Sequence, residues 1–446
     1  MPEIPAGSPD VASRMDHLPV TAMHVLAVGL CGLGMIFDTF EISFGIVLAT
    51  VFSTPPHVAK TGQLSLLLAA VFIGAIVGAP SLGWLADRRG RRNALVVVLL
   101  WLAATSLAAA ASNSMEALTV FRGLSGLALG AYPPIVIAYM TDLLPPRRRG
   151  TLIFVGLSLA TLGPPAGVFL VRWLTPLQPW GMEAWRWGLA VGGVGAGIVG
   201  ILFRAIPESP RWLQARGYAA AADAACRKFQ QSRVVARIAA TDIESPRAAH
   251  ADEGGGLVSA RRRWSLVGAL FLLSPWATVT FPMLLGAVLT QKGFKLSDTL
   301  LYVGLGTFGP LIGTVLASTV VDRIERRMAL AICATAMMAS GLWFVMSNVP
   351  ASLVAASSIF TLFLSLYVPV LNVYGAELFP TRLRASSIAG AWALNRVGAA
   401  LAPLLLVPVL RQVGPLPMFG LIAATLLLSM LVLIIAPAGR QRLPVT

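Results

Sequence analysis

Charge is scarce in this chain. Asp, Glu, Lys and Arg make up 12% of its 446 residues, against 57% hydrophobic side chains. Cysteine is nearly absent: Cys31, Cys226 and Cys333 show no paired spacing and no nearby histidine ligands. That excludes a disulfide framework and a zinc site. The four histidines, His17, His24, His57 and His250, fall at or beyond the ends of the apolar blocks and cluster with no Ser, Cys or acid. No nucleophilic or metal-dependent catalytic set is visible, so an enzyme is not expected, nor a cofactor. A GxxxxGK loop is missing, which excludes ATP as the energy source. Met1–Val20 lacks a basic n-region followed by a cleavable apolar segment, and reads as a tail before an uncleaved first helix.

What remains is apolar sequence, with a mean hydropathy of +0.78. It comes in blocks of about 20 residues, enough to cross roughly 30 Å of hydrocarbon as helix. Uninterrupted apolar runs exclude a barrel, leaving helices as the form that satisfies its own backbone in lipid. Twelve segments are expected, at 22–51, 64–86, 93–112, 116–140, 150–172, 185–205, 265–290, 298–321, 328–347, 351–375, 383–410 and 416–437. The fold class is an all-α membrane protein of two pseudo-symmetric six-helix bundles. The net charge of +15 would suggest nucleic acid in a soluble protein. Here the arginines sit in the short turns after segments 2, 4, 8 and 10, while those after 3 and 9 carry no Lys or Arg. The positive-inside rule explains that alternation and places both termini in the cytoplasm. The expected organisation is a cytoplasmic tail 1–21, a bundle 22–206, a polar linker 207–263 with surface helices, a second bundle 264–437 and a tail 438–446.

The two halves repeat. Asp87 maps onto Asp322, Tyr139 onto Tyr374, Asp142 onto Glu377 and Arg149 onto Arg384, all with a shift of 235 residues (322 − 87). Separate motifs sharing one offset point to a duplicated half. In an apolar chain that means a transporter built from two bundles.

After the second segment stands G-x-x-x-D-R-x-G-R-R, here Gly83, Asp87, Arg88, Gly90, Arg91 and Arg92, with a degenerate copy after segment 8. Arg122-Gly123-Leu124-Ser125-Gly126 opens segment 4, Pro207-Glu208-Ser209-Pro210-Arg211-Trp212-Leu213 follows segment 6, and Ala376–Arg384 follows segment 10. Over about residues 20–437 the chain resembles the major facilitator superfamily. Within it, the motifs are similar to the branch of sugar porters, organic ion transporters and bacterial proton symporters of aromatic acids and nicotinate. The resemblance implies a multi-pass protein of the inner (plasma) membrane, monomeric by family default, whose partners are a small-molecule substrate, protons and the lipid bilayer. Segment 7 departs from the hexose porters: it offers Ser274, Trp276, Thr278 and Thr280 but no Gln or Asn. A hexose is therefore disfavoured. Gly163-Pro164-Pro165-Ala166-Gly167 in segment 5 partly resembles a motif of drug:proton antiporters, although such a pair also simply kinks a helix.

Ionisable groups inside membrane helices are costly and default to function. Asp38 and Glu41 are three residues apart on one helical face, and two carboxylates that close do not both ionise readily in low dielectric. Glu41 lies about 14 Å from the outer end of its helix and Arg122 about 9 Å from the same side, depths that allow contact. A proton-linked switch follows, in which a deprotonated carboxylate pairs with Arg122. A static ion pair is the alternative. Arg396 lies about 18 Å beyond Arg384, near mid-membrane, with no acid close in sequence. A guanidinium there suits an anionic ligand. Asn395, Trp392, Asn372, Tyr374 and Tyr367 add amides and aromatics that fit a planar aromatic carboxylate. The alternative is that Arg396 pairs with an interhelical carbonyl or Glu377 and the aromatics are packing. Tyr132 is a candidate for the N-terminal wall, and Trp276 of segment 7 has the same standing, with core packing as the competing reading.

The repeated turns carry the expected gates: Asp87, Arg88, Arg91, Arg92, Asp142 and Arg149 in the first half, and Asp322, Arg323, Arg326, Glu377 and Arg384 in the second. Paired acids and bases there can close one side and break when it opens. The resulting expectation is proton symport of a small organic anion by alternating access. Proton-coupled efflux and a non-transporting membrane sensor are the alternatives.

Overall fold

A computed structural model of the chain describes residues 11–236, 257–320, 324–379 and 381–436, with the side chains of 236, 257–260, 315, 317–320 and 381–385 outside that description. Its membrane helices run in order α1 (Ala22–Val51), α2 (Thr61–Arg89), α3 (Arg91–Ala110), α4 (Met115–Leu143), α5 (Pro146–Ser158 and Gly163–Leu174), α6 (Ala184–Leu202), α7 (Leu257–Pro275 and Phe281–Gln291), α8 (Leu296–Gly306 and Gly309–Val320), α9 (Arg326–Met346), α10 (Pro350–Glu377), α11 (Thr381–Gln412) and α12 (Pro415–Ile435). Among the described residues eleven helices are long and apolar enough to cross a membrane, and α8 completes the dozen with two pieces too short to qualify singly.

Three expected spans are not continuous helices. In α5 a 3-10 turn, Leu159–Leu162, precedes Gly163-Pro164-Pro165, whose prolines remove two amide donors. In α7 a π turn, Trp276–Thr280, lies just before Pro282, which leaves the Thr278 carbonyl without its usual amide partner. In α8 the chain breaks at Thr307 and Phe308, between Gly306 and the Gly309-Pro310 pair.

Small residues set how closely the helices approach. A Cβ on Gly78 of α2 would lie 2.0 Å from the Leu127 carbonyl oxygen of α4, so these backbones touch. Gly90 joins α2 to α3 with φ of 102°, a left-handed conformation, and a Cβ there would fall 2.2 Å from the Glu208 carboxylate. Glu208 accepts from the Arg92 and Asn93 amides at 2.9 and 3.3 Å, satisfying the exposed start of α3.

One apolar core fills the C-terminal bundle and continues into the N-terminal one through Phe44, Val47, Leu67, Phe72, Val171 and Leu189. The part of the N-terminal bundle nearest the arginine-rich turns has a separate core around Leu99, Leu129, Tyr139, Val199 and Phe203. The bundles are thus packed together at the end opposite those turns. Arg411 of α11 fastens that end by donating to the carbonyls of Phe52, at 3.2 Å, and Ala59, beyond α1.

At the arginine-rich end the N-terminal segment and the linker fold together. Strand Val20–Thr21 pairs antiparallel with Val234–Ala236. Helix Val11–Asp16 buries Val11 and Met15, and Arg14 bonds Asp223 of helix Ala219–Gln230 at 2.6 Å.

Candidate functional site

Two charged pairs converge on α1, and the fold separates them. Arg122 of α4 donates through Nη1 to the Glu41 carboxylate at 2.5 Å and through Nη2 to the Glu41 carbonyl at 2.9 Å. Both side chains are buried, at 2% and 0% exposure, so neither charge is shared with solvent. The second Glu41 oxygen has the Ser106 hydroxyl of α3 as its polar neighbour and faces Gly192 of α6, where a Cβ would come within 3.1 Å of it.

Asp38 is as deeply buried, at 1% exposure, yet its Oδ1 accepts no hydrogen bond. The field acting on it comes first from Arg396 of α11 in the other bundle, then from Glu41. The three-residue spacing thus sends the acids to different partners: Glu41 to Arg122 within its bundle, Asp38 toward Arg396 across the interface. Among the described residues no hydrogen bond or ion pair holds the Arg396 guanidinium, which lies 5.8 Å from the Trp392 ring.

Around Arg396 the polar groups are ordered. The Trp392 indole donates to the Asn372 side-chain carbonyl at 3.0 Å. Asn395 donates to the Ser274 hydroxyl at 2.9 Å and the Phe271 carbonyl at 3.2 Å. The Phe271 ring meets Trp392 edge-on at 5.7 Å. Asn372, Trp392, Asn395 and Arg396 therefore form one wall, with Phe271 and Ser274 as members that sequence reasoning assigned no such place.

Other candidates lie elsewhere. Tyr367 is wholly buried inside the C-terminal bundle, beside Ser429 of α12. Tyr374 is buried near Arg327 and Glu325 at the arginine-rich end. Tyr132 neighbours Asp38, but its hydroxyl donates to the Cys31 carbonyl at 3.2 Å, against Gly34. Trp276 sits half-buried in the π turn of α7.

The charged turns form local networks. Arg91 pairs with Asp87 and lies 3.9 Å from Asp142. Ser209 donates to Asp142 at 2.9 Å, and Arg211 bonds both the Asp142 carbonyl and Asp16. Arg149 lies 3.7 Å from Asp16. Arg92 donates to the Ile206 carbonyl, whereas Arg88 stacks on Trp84 at 4.0 Å. In the other half Arg326 pairs with Glu377 at 3.4 Å. Asp322 and Arg323 lie outside the described residues, as does the Arg384 side chain. Among the described residues no ion pair at this end joins the two halves. Sequence reasoning missed Asp16, which stands in a polar segment with no marker, and Arg411, one cation near a helix end.

No group of three or more His, Cys, Asp or Glu side chains among the described residues could hold a metal ion. Residues 24–438 match the family described as sugar (and other) transporter. The chain belongs to this family, within the major facilitator superfamily. Among its relatives, a gallate transporter of Pseudomonas putida is 27% identical over 89% of this chain and 88% of its own. The niacin transporter NiaP of Acinetobacter baylyi is 26% identical, covering 89% of both chains. The inward-open xylose transporter XylE of E. coli superposes with a TM-score of 0.71 at 18% identity, over 94% of this chain and 97% of that one, a likeness of fold. This family member is accordingly a membrane transporter and not an enzyme.

Proposed function

We propose that the protein carries a small organic anion of the aromatic carboxylate class together with protons, by alternating access. The observation behind this is the Asp38–Arg396 juxtaposition: Arg396 is the opposite charge that acts on buried Asp38 from the other bundle, and among the described residues no hydrogen bond holds the guanidinium or the Asp38 Oδ1. A substrate carboxylate entering between the bundles takes the paired donors of Arg396. Asp38, losing that favourable field beside Glu41, then takes up a proton. Trp392 and Phe271 offer ring faces and edges to a planar substrate, and Asn372 and Asn395 offer amides. Gallate and niacin, named for two relatives, are both small aromatic acids, which supports the substrate class.

The Glu41–Arg122 pair is the second coupling element. Its protonation frees Arg122 and loosens α1 from α4. On the positive-inside reading the arginine-rich end is cytoplasmic, together with both termini, and the membrane is the inner (plasma) membrane. The arrangement described is then the inward-facing state, with the outer end closed by Arg411. The charged turns of the two halves would pair across the interface in the outward-facing state. The bundles are assigned to 22–206 and 264–437, the linker to 207–263, and one chain holds the whole path, so a monomer suffices.

The test is uptake into proteoliposomes of a labelled panel of aromatic carboxylates, hexoses and cationic drugs, with a pH gradient imposed in either direction. Accumulation of a carboxylate down an inward proton gradient is expected. Accumulation of hexose alone, or of a drug against the proton gradient, overturns it in favour of sugar transport or efflux.

A further inference from the structure

A second surface of the molecule has the chemistry of a ligand site. At the end opposite the arginine-rich turns, a cavity of ≈ 580 Å³ is lined by Gln291, Lys292, Arg411 and Gln412 and by the α11–α12 turn. It meets at Leu416 a second cavity of ≈ 530 Å³ between α9 and α12, lined by Thr335, Met338, Leu342, Gly420 and Ala423. The second is almost wholly apolar. From Thr335 to Val345, which lines the first cavity, α9 advances ten residues, about 15 Å. The whole feature is therefore a polar, cationic head above a membrane-facing apolar trench.

The head carries positive charge with no acid to balance it. Lys292 donates to the carbonyls of Phe344 at 3.1 Å, Val345 at 2.7 Å and Ser347, the closing carbonyls of α9. Arg411 is likewise held by carbonyls. Burial pushes the Lys292 ammonium below its ordinary range, and no carboxylate acts against that. Carbonyls orient the two cations without cancelling their charge.

We propose that this groove binds one anionic phospholipid, its headgroup against Lys292 and Arg411 and an acyl chain between α9 and α12. Three observations favour a phospholipid over other anions. The trench opens to the face where Leu342, Trp343 and Leu416 are exposed, 42%, 44% and 52% respectively. Its length suits an acyl chain. The bilayer supplies phospholipid along that whole face. The ligand would tie the ends of α7, α9 and α11, and so bears on the end closed by Arg411.

Lipid binding to the intact, delipidated protein can be counted by native mass spectrometry during titration with phosphatidylglycerol or with phosphatidylcholine of the same chains. Wild type is expected to prefer phosphatidylglycerol by roughly tenfold, through the field of the two cations, since carbonyls already take the three Lys292 N–H groups. Gln412→Glu, which places an acid in the head cavity, removes the preference. Gly420→Leu, at a position where a Cβ meets nothing within 4 Å, fills the trench and weakens both lipids. Ile198→Phe, a lipid-facing change on α6, leaves both unchanged. Equal binding of the two lipids by wild type overturns the proposal. Wild-type-like binding by both Gln412→Glu and Gly420→Leu overturns it as well. A free fatty acid competing as strongly as phosphatidylglycerol would overturn the phospholipid assignment.

Discussion

Arg396 and Arg122 are chemically identical and held in opposite ways, and that difference carries the residue-scale predictions. Arg122 has a carboxylate and a carbonyl, both within 2.9 Å. Replacing Glu41 by Gln leaves the buried guanidinium without its counter-charge, and a melting curve in detergent should register a loss of about 3–5 kcal/mol. Arg396 has no such partner, so Arg396→Lys should leave stability nearly unchanged. It removes the planar donor pair, and KM for a carboxylate substrate should rise roughly tenfold while the charge is kept. Asp38→Asn should abolish proton-driven accumulation and preserve substrate exchange at equal pH on both sides. If the Asp38→Asn and Glu41→Gln proteins both still concentrate substrate against a gradient, the coupling mechanism is wrong. Sequence alone picked out all four ionisable side chains, since each lies well inside an apolar segment. It set Arg122 against a carboxylate of the first segment but could not say which one, and gave Arg396 no acid close in sequence. Asp38 and Glu41 share a helix face, and a rotation of one helix decides which arginine each meets.

At the scale of elements, the arginine-rich turn between α2 and α3 is built around a glycine. Gly90 is left-handed and its missing side chain makes room for Glu208. Gly90→Ala strains the backbone and displaces that carboxylate from the amides of Arg92 and Asn93. A cost of about 1–3 kcal/mol is expected, read as a lower melting temperature with less protein recovered from the membrane. The string PESPRWL thus acts as a structural brace: Glu208 caps α3, Ser209 and Arg211 bind Asp142, and Trp212 donates to the Asp87 carbonyl at 2.9 Å. Helix number and approximate extent were legible, because lipid-spanning length and apolar character are local properties. The breaks in α5, α7 and α8 were marked by prolines and glycines, but a proline shows where a helix can break and not whether its neighbours will support the break. Strand Val20–Thr21 had no legible mark, since its pairing partner lies over 200 residues away.

Across the whole molecule, the end opposite the arginine-rich turns is closed, and among the described residues no ion pair joins the halves at the other. Arg411 joins α11 to the turn after α1, and α1 meets α7 there so closely that a Cβ on Gly286 would overlap the Thr50 side chain. Arg411→Ala removes this fastening and shifts the population toward opening at that end. A cysteine placed at Ser53, which lines the adjoining cavity, should then react faster with an impermeant maleimide than in the unmutated background. Equal rates would show that apolar packing alone holds the end shut. By itself the sequence determined that the chain crosses a membrane as helices in two related halves, with basic turns on one side. Those outcomes follow from the cost of burying charge and unpaired backbone in lipid, which acts residue by residue. Only the tertiary structure decided that Glu41 closes on Arg122, that Arg396 is brought within reach of Asp38's charge, and which end is fastened by Arg411. Such contacts join helices far apart in the chain, and they depend on how two bundles dock as bodies, which no local property of either partner specifies.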